Sequence, residues 1–182
     1  RLLAPSTIRL ADSAIAVSPL RLQGTDGAGY LSVAGLVPWT GTGNLAVEGL
    51  GLSVRDLSAL VQFATTGLGG WLGFRVQVGG TRADPTLEGT IGLEDMRVGD
   101  TRGPLAQGVF TYSAQRLDGG LLLYRTGSPV VHVGYSLPID LALKGVKERL
   151  VPGPLSIQAT ADSVQLSVFE PLSRSVSGVT GI

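Results

Sequence analysis

Apolar and polar residues alternate along most of this chain, the period-2 pattern of strands with one face toward solvent. Leu20 and Leu22 share one face of an early run that turns at Gly24-Thr25-Asp26-Gly27. Leu31, Val33 and Val37 share a face of the next, and Pro38-Trp39-Thr40-Gly41 turns the chain toward Leu45 and Val47. Phe74, Val76 and Val78 alternate strictly with polar neighbours until Gly79-Gly80. Asp84-Pro85 then places a turn, and Leu87, Gly89 and Ile91 open another strand. Leu93, Met96 and Val98 extend that strand to a turn at Gly99-Asp100. Phe110 and Tyr112 follow, and Asp118-Gly119-Gly120 reads as a hairpin. Leu121 and Leu123 alternate in one register. Val131, Val133, Tyr135 and Leu137 do so in another, continued after Pro138 by Ile139, Leu141 and Leu143. Gly145 to Pro154 reads as a loop, and Leu155 and Ile157 open the last strands. The spacing predicts roughly ten to thirteen short strands, an all-β class.

Two stretches depart from period 2, and they depart alike. Ser53-Val54-Arg55-Asp56 resembles a capping box, and Val54, Leu57, Leu60, Val61 and Ala64 then recur at helical spacing up to Gly67. Ser167-Val168-Phe169-Glu170 has the full S-x-x-E form, followed by Val168, Leu172, Val176 and Val179 on one helical face. Leu52-Ser53-Val54 and Leu166-Ser167-Val168 are identical triplets. One strand-rich unit, about 53–166, with the next beginning near 167, is the organisation this repetition predicts for an elongated protein. Starting at Arg1 and ending within a periodic pattern, residues 1–182 read as a fragment of a longer repetitive chain.

Composition narrows the function classes. Acidic and basic residues balance at 14 each, with no basic tract or aromatic stacking set, which argues against nucleic acid. Without cysteine there is neither a disulfide framework nor a thiolate metal site. No apolar run reaches the roughly 18 residues of a membrane-spanning helix, and no signal sequence is found within this slice. Yet mean hydropathy is positive and only 15% of residues are charged.

Chemistry has little to stand on. His132 is the single histidine and alternation turns it away from Val131 and Val133, the pattern of a solvated or structural strand residue. A serine-histidine-acid site would need it, but no G-x-S-x-G elbow occurs. Glu94-Asp95 with Asp100 lacks the ligand pattern of a cation cage and reads as a polar strand end. Gly41-Thr42-Gly43-Asn44-Leu45-Ala46 matches G-x-G-x-x-A only formally, because no helix is expected after it. The expectation is a non-enzyme with no cofactor and no metal.

The helix-then-corner order carries a resemblance. Gly80-Thr81-Arg82-Ala83-Asp84-Pro85-Thr86-Leu87-Glu88-Gly89, preceded by Val76 and Val78, resembles the G-T-x-x-x-P-x-x-x-G corner of the TamB family, relatives of the AsmA-like envelope proteins. The match spans roughly residues 20 to 100, weakens from 101 to 150 and resumes at the second helical stretch. The resemblance implies an antiparallel sheet curled into an open apolar groove, the β-taco, with one or two short helices. It implies a periplasmic part of an inner-membrane-anchored protein in a diderm bacterium. The implied partners are phospholipid acyl chains or nascent outer-membrane β-strands, together with an outer-membrane barrel. The implied roles are lipid movement and the assembly and secretion of outer-membrane proteins.

Physical chemistry reaches a compatible expectation by another route. A dozen aliphatic side chains left wet on one sheet face would forfeit on the order of 20–35 kcal/mol. That exceeds the net stability of about 5–15 kcal/mol typical of domains. Acyl chains can cover such a face without any specific polar contact. Alternation nominates Leu31, Val33, Val76, Val78, Leu87, Ile91, Leu121, Leu123, Val131 and Val133 as the lining, without fixing which face is concave. The alternative is a secreted structural or adhesive β-repeat, a sandwich or solenoid with a dry core.

Overall fold

The computed structural model describes residues 1–24, 27–55, 68–98, 101–125, 127–143, 145–146 and 148–161. Within them the alternating runs form eleven strands: β1 (Ile8–Leu10), β2 (Ala14–Gln23), β3 (Tyr30–Pro38), β4 (Asn44–Ser53), β5 (Leu68–Gly80), β6 (Pro85–Val98), β7 (Thr101–Arg102), β8 (Leu105–Ser113), β9 (Arg116–Arg125), β10 (Ser128–Pro138) and β11 (Ser156–Ala161). All belong to one antiparallel sheet in sequence order, and only the short β7 leaves the path, as a second partner of β6. Every strand on the path is joined to the next by a hairpin or short connection, apart from the longer links after β4 and β10. The sheet does not close: β1 and β11 are its two ends.

No helix is among these elements. Val54 and Arg55 have helical geometry, the start of the expected first helix; the rest of it, and all of the second, lie outside the described residues. So do Asp100 and the centre of the Gly24–Gly27 turn.

Two expectations are corrected. Asp118-Gly119-Gly120 is not a turn but part of β9; the hairpin before it turns at Ala114-Gln115, both at positive φ (48° and 59°). Two consecutive positive φ values suit the right-handed twist of the flanking strands, and here the turn is made without glycine. Gly119 is a glycine for another reason, because the ring of Tyr135 from β10 lies where its Cβ would be. The second correction concerns Ile139, Leu141 and Leu143, which do not continue a strand, since β10 ends at Pro138.

The described residues 139–143 and 148–151 instead form a strap along one set of strand ends. Ile139 bridges Leu150, the Asp140 carboxylate accepts the Ala142 N–H at 2.8 Å, and Arg149 Nη1 donates to the carbonyls of Ala142 (2.7 Å) and Asp140 (3.0 Å). The strap is tied to the sheet where the Leu141 N–H donates to Tyr112 Oη on β8, and where the Leu143 N–H donates to the Arg82 carbonyl in the β5–β6 corner, both at 2.8 Å. Five residues reach at most about 17 Å, enough to cross the three strand spacings, about 14 Å, from β10 back to β6.

The sheet has almost no interior. Among the described residues the buried hydrophobics are Ala14, Tyr112, Val131 and Ala142. Among the described residues this is one layer, not two.

Glycines on one face are covered by large neighbours on the next strand. A Cβ at Gly89 would stand 2.6 Å from the Phe110 ring, and one at Gly49 would stand 2.6 Å from Phe74. Gly134, facing the other way, has nothing within 4 Å. Gly89→Val should therefore cost about 1–3 kcal/mol by overpacking, whereas Gly134→Val should be neutral or slightly stabilising, as a β-branched residue in a strand. Urea denaturation midpoints of the two variants check both.

Candidate ligand-binding face

Residues paired across an antiparallel ladder point to the same face, so the register assigns every strand residue to one side. One row reads Leu22, Leu31, Gly49, Phe74, Ile91, Gly108, Leu121, Val133 and Ala159, from β2 to β11. The next reads Leu20, Val33, Val47, Val76, Gly89, Phe110, Gly119, Tyr135 and Ile157. Flanking rows hold Leu45, Val78, Leu87, Tyr112, Leu117 and Leu137 toward the strap, and Leu52, Leu72, Leu93, Ala106, Leu123 and Val131 away from it. No charged side chain enters these four rows.

All ten residues nominated from the alternation stand on this face. Leu31 and Val33 come from β3, Val76 and Val78 from β5, Leu87 and Ile91 from β6, Leu121 and Leu123 from β9, and Val131 and Val133 from β10. Val131 is buried and the other nine are half-buried by their neighbours. Sequence reasoning missed the aromatic members Phe74, Phe110, Tyr112 and Tyr135. The signal was available in the alternation, since Phe74 is in phase with Val76, Tyr135 with Val133, and Phe110 with Tyr112. Burial raises the Tyr135 phenol above its ordinary pKa, as expected for a hydroxyl on an apolar surface.

The opposite face carries the polar side chains, interspersed with glycines and with the exposed Leu36, Leu50, Trp71 and Val109. One row runs Arg21, Ser32, Glu48, Arg75, Thr90, Val109, Gly120, Gly134 and Gln158. A parallel row continues from Gly73 through Gly92, Gln107 and Leu122 to His132 and Thr160. Between these rows lies an open depression of about 900 Å³, bordered also by Leu50, Trp71 and Glu94. Ile91, Leu121 and Val133 contribute to its lining from the intervening row, whose side chains turn to the other face. Its floor is low because Gly73, Gly92, Gly120 and Gly134 have no close cover, in contrast to the capped glycines opposite.

His132 stands exposed on this polar side, as alternation required. Asp95 bonds Arg102 at 2.9 Å, Glu94 borders the depression, and among the described residues no three His, Cys, Asp or Glu side chains converge as a metal site. Trp39 donates its indole N–H to the Ala11 carbonyl and lies beneath Arg82, whose guanidinium is 5.2 Å from the ring centroid. Gly41 to Asn44 joins β3 to β4, so no helix follows the glycines there. No described helix is long and apolar enough to cross a membrane.

Compared with models of known protein families, with curated proteins and with solved structures, the chain matches none.

The cross-strand residues Glu48 and Arg75 form an ion pair, 2.7 Å apart, on the polar side. The hydrogen bond from Arg75, with its charge, holds the Glu48 carboxyl below its ordinary pKa. The contribution of this pair to stability is therefore complete above the ordinary glutamate value and is lost as pH falls through the lowered one. In Arg75→Gln, NMR titration should show the Glu48 carboxyl returning toward the ordinary range.

Proposed function

We propose that the apolar face of this sheet is a binding surface for lipid acyl chains, in a non-catalytic cell-envelope protein that moves phospholipid between membranes. What carries the reading is the unbroken apolar surface across the strands, together with the absence of a second layer over it among the described residues. The six strands β4, β5, β6, β8, β9 and β10 that carry all four rows, about 4.8 Å apart, with an apolar stripe some six residues or 20 Å long, give a footprint of roughly 600 Å² whose side chains are mostly half-buried. A soluble monomer rarely exposes an apolar patch beyond about 300–600 Å².

The occupant has to be oily and unspecific. The four rows offer no charge and, apart from two tyrosine hydroxyls, no side-chain hydrogen-bonding group, so they read shape and hydrophobicity only. Acyl chains satisfy that at about 0.8 kcal/mol per methylene buried. The resemblance of the Gly80–Gly89 corner to the TamB family supports the same reading. With it come an open β-taco groove, a periplasmic location, inner-membrane anchoring and an outer-membrane barrel partner. Nascent outer-membrane β-strands, also amphipathic and oily on one side, are the protein cargo this face would suit.

A chain purified without harsh detergent should carry phospholipid, detected by native mass spectrometry and by extraction. Val133→Arg places a charge in the middle of the apolar rows while leaving backbone pairing intact. Bound lipid should fall about tenfold with the far-ultraviolet circular dichroism unchanged. A lipid-free wild-type protein, whether a monomer or a face-to-face dimer with a dry core, would overturn the reading in favour of a structural β-module.

A further inference from the structure

Aromatic rings lean over glycines at three places on the described apolar face: Phe74 over Gly49, Phe110 over Gly89 and Tyr135 over Gly119. At the first two a bare ring completes the packing, so covering Gly119 does not by itself call for a hydroxyl. The other tyrosine of the face, Tyr112, uses its hydroxyl to accept the Leu141 N–H. Tyr135 Oη has no such use. Among the described residues no hydrogen-bond partner reaches it, and burial is the one influence on its pKa.

Tyr135 stands in the middle of β10, half-buried, with Val133 and Leu137 beside it on the same face of its own strand. Its cross-strand neighbours are Gly119 on β9 and Ile157 on β11. None of these four offers a side-chain acceptor, and the backbone of β10 is paired with β9 and β11. Burial pushes the phenol pKa up, so the group stays a neutral donor. In the free protein, water supplies the missing acceptor.

Acyl chains laid over the rows displace that water, and a methylene cannot replace it. Plain hydrocarbon would therefore bind at the expense of a stranded donor. A glycerolipid brings its own remedy, because an uncharged ester carbonyl stands at the root of each acyl chain. A phosphate oxygen also accepts, but its charge would enter rows that hold no charged side chain to pair with it.

Resting on the reading that this face binds lipid, we propose that Tyr135 is a specificity-determining residue whose Oη donates to an ester carbonyl of the bound lipid. The face then favours ester-linked chains over ether-linked chains of the same length.

Two lipids that differ only at this linkage test the assignment on the intact protein. Dioleoyl phosphatidylcholine and its dioleyl ether analogue are offered in equal amounts, and bound lipid is read by native mass spectrometry. The wild type should retain the ester about fivefold over the ether, as one neutral hydrogen bond provides. In Tyr135→Phe, which keeps a ring over Gly119, ester binding should fall to the ether level while ether binding stays unchanged. Equal retention of the two lipids by the wild type would overturn the assignment. So would an equal loss of both in Tyr135→Phe, the mark of a packing role, or an ester preference that survives the substitution. A wild type that retained neither lipid would remove the underlying reading as well.

Discussion

A β-meander satisfies its backbone in the plane of the sheet and leaves both faces to the side chains. Here every strand-to-strand pairing spends its hydrogen bonds within one layer, so no second layer is recruited by the backbone. One face must then be reconciled with water through side chains alone. On the polar face, charge, hydroxyls and bare glycine backbone do this. On the apolar face the residues can only crowd against one another, and most remain half-buried. The other local features of the sheet follow from that crowding.

Glycine shows the difference between the faces most clearly. Gly49, Gly89, Gly108 and Gly119 occur where a large neighbour, respectively Phe74, Phe110, Leu121 and Tyr135, leans across from the next strand. Large beside absent is how a single layer packs without a facing layer to interdigitate with. The glycines of the polar face, Gly73, Gly92, Gly120 and Gly134, have no such partners and leave the depression near Trp71 and Arg75. A twisted sheet is saddle-shaped and each face is hollow along one diagonal. A depression on the polar side is thus compatible with a trough on the apolar one.

An apolar surface of this size that carries no charge has a consequence for function. It can exclude water from oily groups of many shapes and can distinguish poorly between them. That suits the bulk handling of acyl chains proposed above better than recognition of one molecule.

Much of this was legible in the residues themselves. Period-2 alternation is a local property, because a strand residue faces one side or the other whatever its distant surroundings. It therefore identified an all-β chain and correctly grouped Leu31 with Val33, Val76 with Val78 and Val131 with Val133. It also placed His132 on the opposite side from its neighbours. Alternation within a strand carries no information about the next strand, so only the register united five separate pairs on one face. Turn chemistry misled at Asp118-Gly119-Gly120, where glycine answers a ring on another strand, and the bend fell at Ala114-Gln115. The apolar pattern of Ile139, Leu141 and Leu143 looked like a strand for want of any local signal that Tyr112 and Arg82 would capture their backbone. What the sequence determined by itself was the two-sidedness of each strand, a matter of neighbouring side chains. Which sides align, which glycines are covered and where the chain folds back over its own oily face depend on contacts between residues far apart, and only the tertiary structure decided them.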